Sequence, residues 1–121
     1  MDEQTGHRWQ TETATFLETL KPDLIVETGV SEGVSTRLLL DMLDRVGKGR
    51  LVSIDPRPVY KTPHPRWTLF ELTSHEALVK VFLEYEHFDV FIHDSDHSAE
   101  CQAFEYHLGF LMTKPGGYII S

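Results

Sequence analysis

The sequence predicts an α/β domain built on a doubly wound parallel sheet of about five strands. Three observations lead there. Short apolar runs alternate along the chain with segments of helical periodicity. Gly and Pro clusters fall at the junctions between them. The apolar runs are continuous rather than alternating, as expected of strands buried on both faces. Strand–helix–strand units at this spacing give parallel strands joined by right-handed crossovers. With 121 residues and 40% apolar content, the chain supports one core and one domain.

The elements follow in order. Trp9, Thr13, Phe16, Leu17 and Leu20 recur at helical spacing over residues 8–20, and Lys21-Pro22 stops that helix. Leu24-Ile25-Val26, running into Glu27-Thr28-Gly29, is the first strand. The next helix turns Val34, Leu38, Leu39 and Met42 to the core, with Ser31 or Ser35 as its cap and Gly47 and Gly49 at its end. Leu51 to Asp55 is the second strand, halted by Pro56 and Pro58; Pro63 and Pro65 further stiffen the loop after it. Trp67 to Leu72 is the third strand. Ser74-His75-Glu76-Ala77 opens a helix that buries Leu78, Val79, Phe82 and Leu83. Phe88 to Asp94 is the fourth strand, and a helix runs from about Ala99 to Met112. Pro115-Gly116-Gly117 then turns the chain into a last strand, Tyr118 to Ser121.

Composition narrows the function. Eleven Lys+Arg against nineteen Asp+Glu leave a net charge of −8, which disfavours a nucleic-acid phosphate surface. Cys101 stands alone, so there is no internal disulfide and no Cys-rich zinc site, and a reducing cytoplasm fits. No run approaches a membrane span. Met1-Asp2-Glu3-Gln4 is too acidic to begin a signal peptide.

Ligands of open parallel sheets bind beyond the carboxyl ends of the strands. The residues there are Glu27 to Gly33, Asp55, Thr73-Ser74 and Asp94 to His97, and most are polar or glycine. Gly29 and Gly33 admit a ligand close to the backbone, and the helix after them offers free N–H groups and a positive dipole end. Ser31 occupies the middle place of what would otherwise be a dinucleotide glycine fingerprint, which argues against a nicotinamide (NAD) oxidoreductase. A carboxylate at Asp55 suits ribose hydroxyls, or else caps the Pro56 turn. Asp94, Asp96 and His97 gather oxygen and nitrogen groups in one loop. Asp96 or Ser95 can equally cap the helix that follows.

Glu27-x-Gly29-x-x-x-Gly33-x-Ser35-Thr36, followed by Ser53-Ile54-Asp55, resembles the cofactor half of a class I S-adenosylmethionine-dependent methyltransferase. Phe88 to Ser98 resembles a motif of the family-24-type small-molecule O-methyltransferases, and Lys114-Pro115-Gly116-Gly117 is usual before the fifth strand of that fold. The resemblance covers residues 22–121 as a Rossmann-like domain with strand order 3-2-1-4-5, leaving 1–21 as an N-terminal helical segment.

It implies that Glu27 and the Gly29 and Gly33 backbones hold the methionine end of S-adenosylmethionine, with Thr28, Ser31 and Ser35 also among the cofactor-binding residues. It likewise places Asp55 on the ribose, Thr73 and Ser74 beside adenine, and Asp94 near the amine and sulfonium. His97 and Asp94 become the catalytic residues, His97 as general base for an acceptor hydroxyl. Relatives of this kind use Mg²⁺, but their partner carboxylates follow the fifth strand, so Asp94 and Asp96 make only a weak site here. The usual C-terminal antiparallel hairpin is lacking. The last strand is then an apolar edge that would pair with a second copy as a homodimer. Besides a methyltransferase acting on a small-molecule acceptor, with no membrane or nucleic-acid partner, the residues allow a non-catalytic module binding S-adenosylmethionine or S-adenosylhomocysteine, or a methyltransferase fragment.

Overall fold

The structure, a computed structural model, describes residues 3–93 and 113–120. Its elements are α1 (Glu3–Leu20), β1 (Leu24–Thr28), α2 (Val34–Val46), β2 (Arg50–Ile54), β3 (Trp67–Phe70), α3 (Ser74–Tyr85), β4 (Phe88–His93) and β5 (Thr113–Ile120). The five strands form one sheet in the order β3-β2-β1-β4-β5, with every neighbouring pair parallel. That is the order the family resemblance implies. The chain moves outward from β1 to β3, then returns to lay β4 on the other side of β1. The reversal opens a crevice at the carboxyl ends of β1 and β4.

All five residues of β1 are buried, which explains its unbroken apolar start. Alternate residues feed two cores. Ile25 joins Leu17, Leu39, Met42 and Leu43 under α1 and α2. Leu24 and Val26 join Ala77, Leu78 and Val81 under α3. Phe88 and Phe91 stack in this second core, with ring centroids 5.6 Å apart. At the start of the sheet, Asp89 Oδ2 accepts the backbone N–H groups of Asp23 (2.9 Å) and Leu24 (2.8 Å), tying β4 to the entrance of β1.

Several expected details are corrected. α1 begins at Glu3 rather than at residue 8; a nucleated helix propagates through polar residues without needing burial. Neither Ser31 nor Ser35 caps α2. Gly33 occupies that position in a left-handed conformation with no side-chain cap, while Gly47 closes the helix and donates to Leu43 O. The buried face of α2 is Thr36, Leu39, Leu40, Met42 and Leu43, with Val34 and Leu38 only half-buried. On α3, Val79 and Leu83 lie 52% and 75% exposed, so the buried stripe is narrower than their apolar character suggests. β3 stops at Phe70, before Leu72. Pro115-Gly116-Gly117 lies within β5 rather than before it. Phe88 pairs with Thr113 and Val90 with Tyr118, so Lys114 to Gly117 stand opposite Asp89 alone as a bulge. The predicted helix from Ala99 to Met112 lies outside the described residues. Among the described residues, no helix is long and apolar enough to cross a membrane.

The Asp89 contact yields a stability prediction. Asp89→Ala should lower the free energy of unfolding by about 1–3 kcal/mol, because it strands two backbone donors at the strand entrance. Urea denaturation followed by circular dichroism measures this, and an unchanged midpoint with an unchanged slope would remove the contact from the stability of the sheet.

Candidate functional site at the carboxyl ends of the first strands

β1 ends in a carboxylate that is folded inward. Glu27 is 1% exposed and points toward the first turn of α2. Ser35 Oγ donates to its Oε1 (3.0 Å), while Thr36 Oγ1 and Ser53 Oγ both donate to Oε2 (2.6 Å each). Trp67 Nε1 donates in turn to Ser53 Oγ at 2.8 Å. A buried charge is tolerable only when it is hydrogen-bonded this thoroughly. The network ties β1, α2, β2 and β3 together at one end of the sheet.

The loop from Gly29 to Gly33 is held from outside. Asp55, half-buried just past β2, accepts the N–H groups of Val30 (2.9 Å) and Ser31 (3.0 Å) on Oδ2 and that of Arg57 (2.8 Å) on Oδ1. Oδ1 therefore keeps one lone pair for a ligand donor. Ser31 O accepts the N–H groups of Val59 (3.0 Å) and Tyr60 (3.1 Å). Gly33 has φ +83°, and a Cβ there would run into the Tyr60 ring. Because Gly33 has no side chain to cap α2, the first-turn amides keep their positive end toward the crevice.

The far end of the proline-rich loop is anchored separately. Arg66 N–H donates to His64 Nδ1 (3.0 Å), so Nε2 carries the proton and donates to Asp44 Oδ2 (2.9 Å). Arg66 Nε also reaches Asp44 Oδ1 at 3.3 Å. The His64 hydrogen bond, and then Arg66, hold the Asp44 carboxyl below its usual 3.8.

Glu27, Thr28, Gly29, Ser31, Gly33, Ser35 and Asp55 are thus gathered at the ends of β1 and β2. Thr73, past the end of β3, caps α3: its Oγ1 donates to Glu76 Oε1 (3.0 Å) and accepts the Glu76 N–H (3.4 Å). Ser74 opens the same helix. Asp94, Ser95, Asp96, His97 and Cys101 lie outside the described residues. Among the described residues, no cluster of three or more His, Cys, Asp or Glu could hold a metal ion. Sequence reasoning missed the roles of Thr36, Ser53, Tyr60 and Trp67. Ser53 carried a usable signal, a hydroxyl in the middle of an apolar strand. Tyr60 carried none.

Residues 26–121 match the model of a family described as a methyltransferase domain. No curated protein matches. Among solved structures, the O-methyltransferase from Bacillus cereus in complex with SAH superposes with a TM-score of 0.69 at 19% identity, over 98% of this chain and 56% of its own. The SAH-bound Podospora anserina methyltransferase PaMTH1 gives 0.65 at 19% identity, over 98% and 52%. MycE methyltransferase from the mycinamycin biosynthetic pathway, in complex with Mg, SAH and mycinamycin VI, gives 0.67 at 22% identity, over 80% of this chain and 27% of its own. The chain therefore spans from about a quarter to little more than half of these proteins, and the likeness is one of fold.

Two predictions follow from the network and the anchor. Ser53→Ala should reduce stability by about 1–3 kcal/mol, since it leaves the Trp67 N–H without its acceptor and takes one donor from a buried carboxylate; chemical denaturation tests it. Asp44 titrates lower in the folded chain than in the unfolded one. Its contribution is complete above the unfolded value and is lost as pH falls through the folded value. Wild type should accordingly lose stability more steeply than Asp44→Asn on acidification below about pH 4, read from thermal midpoints across a pH series. Parallel curves would show that the anchor carries no net stabilisation.

Proposed function

Since the chain belongs to the methyltransferase-domain family, we propose that it transfers a methyl group from S-adenosylmethionine to an oxygen of a small molecule. The observation that carries the reading is the pairing of an uncapped α2 N-terminus with the Asp55 carboxylate, one on each side of the Gly29–Gly33 turn. One presents donors and the other an acceptor, as a zwitterionic amino acid joined to a ribose requires. The oxygen and the small-molecule acceptor are supported by the kinds of protein that share the fold, an O-methyltransferase and a methyltransferase holding mycinamycin VI.

When bound, S-adenosylmethionine supplies a methyl group on an electrophilic sulfonium. The first-turn amides of α2 receive the methionine carboxylate. Glu27 keeps Ser35 and Thr36 in place for that task. Asp55 Oδ1 accepts a ribose hydroxyl with its remaining lone pair, and Thr73 and Ser74 flank the adenine. Thr28 pairs with His93 across β1 and β4, so the chain leaving β4 begins beside the glycine turn. By the family resemblance Asp94 is assigned to the amine and sulfonium, and His97 to taking the proton of the acceptor hydroxyl. Holding acceptor and donor in line provides much of the acceleration.

Isothermal titration with S-adenosylmethionine, S-adenosylhomocysteine and NAD tests the site. The first two should bind and NAD should not. Asp55→Ala should weaken S-adenosylmethionine binding by about 1–3 kcal/mol in a folded protein. Unchanged affinity would remove Asp55 from the ribose, and preferential binding of NAD would overturn the methyltransferase reading.

A further inference from the structure

Tyr60 lies in the loop between β2 and β3 and makes none of the ligand contacts set out above. Its ring nevertheless fills the notch that Gly33 leaves by lacking a Cβ. Trp67 packs beside it, with centroids 5.5 Å apart and planes at 37°. The Arg37 guanidinium sits 5.3 Å from the ring centre, while Arg37 Nε donates to Gly33 O at 3.1 Å. The Tyr60 N–H also donates to Ser31 O, two residues earlier in the same turn.

That turn is costly to hold. Gly29, Ser31 and Gly33 have φ of +88°, +50° and +83°, and the left-handed state at Ser31 persists only where surrounding contacts over-determine it. Two glycines leave the segment many other conformations. Ile54 O and Arg37 hold its two ends, residues 55–60 supply the contacts to Val30 and Ser31, and among these residues Tyr60 adds an aromatic ring at the Gly33 position.

We propose that Tyr60 is a positioning residue for the glycine turn: seated against Gly33 and clamped by Trp67 and Arg37, it holds the turn in the form that receives S-adenosylmethionine. The inference rests on the assignment of that turn to S-adenosylmethionine. Its consequence is quantitative. A turn that is binding-competent a tenth of the time lowers apparent affinity about tenfold without losing any ligand contact. The ring makes the contacts, so phenylalanine should replace tyrosine.

The test is a double-mutant cycle on the whole chain, with wild type, Tyr60→Ala, Gly33→Ala and the double variant, plus Tyr60→Phe. S-adenosylhomocysteine affinity is measured by calorimetry well below each thermal midpoint. Tyr60→Ala should bind about tenfold more weakly. Tyr60→Phe should stay within about twofold of wild type, a rescue that distinguishes seating of the ring from a role of the hydroxyl. Gly33→Ala should lose less affinity when the ring is already gone, because its new methyl group is then opposed by the Cβ of residue 60 alone and no longer by the ring carbons as well.

Wild-type affinity in Tyr60→Ala, or an equal cost of Gly33→Ala in both backgrounds, overturns the proposal. If Tyr60→Ala does not fold, Tyr60→Leu takes its place under the same criteria, since leucine keeps apolar burial but lacks the flat ring. Failure of wild type to bind S-adenosylhomocysteine would instead count against the cofactor assignment. The seating of Tyr60 on Gly33 would then be judged from thermal midpoints, where non-additive shifts support it and additive shifts overturn it.

Discussion

A carboxylate buried at the end of the central strand organises this end of the molecule. Glu27 is almost wholly removed from water, and an ion there is stable only if protein donors replace its hydration. Ser35 and Thr36 from α2 and Ser53 from β2 supply hydroxyls to it. To do so, α2 must begin close over the end of β1, and β2 must lie in register beside it. The observed register meets that demand, with Glu27 directly opposite Ser53. Trp67 extends the constraint to β3 through Ser53. A requirement of electrostatics thus fixes the relative positions of three strands and a helix where a ligand would bind.

Asp55 does for the turn what Glu27 does for the framework. It accepts two amides from the turn on one oxygen and an amide of its own loop on the other. The turn after β1 and the loop after β2 therefore define one another. Neither would be expected to keep its shape alone, since one is rich in glycine and the other has no regular secondary structure. Prolines at 56, 58, 63 and 65 lower the entropy of the second loop before folding, and the His64–Asp44–Arg66 contacts secure its far end. Rigidity is imported into the flexible turn from a stiffened neighbour.

Much of this was legible in the sequence, for identifiable reasons. The parallel sheet and the gathering of Glu27, Gly29, Gly33 and Asp55 follow from apolar runs, breakers and motif spacing, which are local signals, while the strand order came from the family resemblance. What the sequence did not reveal depends on contacts between distant segments. Ser35 looks like a cap until Glu27 is seen to claim its hydroxyl. Val79 and Leu83 look like core because they are apolar, yet they lie exposed while Ala77, Leu78 and Val81 of α3 are buried against the sheet. Pro115-Gly116-Gly117 looks like a turn before a strand, yet pairing resumes on both sides of it. Tyr60 has no periodicity and no motif, and only the folded loop brings it to Gly33.

The two faces of the sheet divide the work. The α3 side is an apolar core that includes Phe88, Phe91 and Val81 and spends its burial on stability. The α1 and α2 side carries a comparable apolar core lower down but gives its upper end to hydroxyls and a charge. Burying that charge earns little stability in itself, because desolvation offsets most of the attraction. Its return is definition: each hydroxyl has one acceptor and one geometry, so the start of α2 is held in one place. A small zwitterionic ligand gains from such fixed polar groups, since donors and acceptors that need no reordering bind without paying that entropy again. The polar network is therefore best understood as preorganisation of the crevice, set by residues that need not touch the ligand at all.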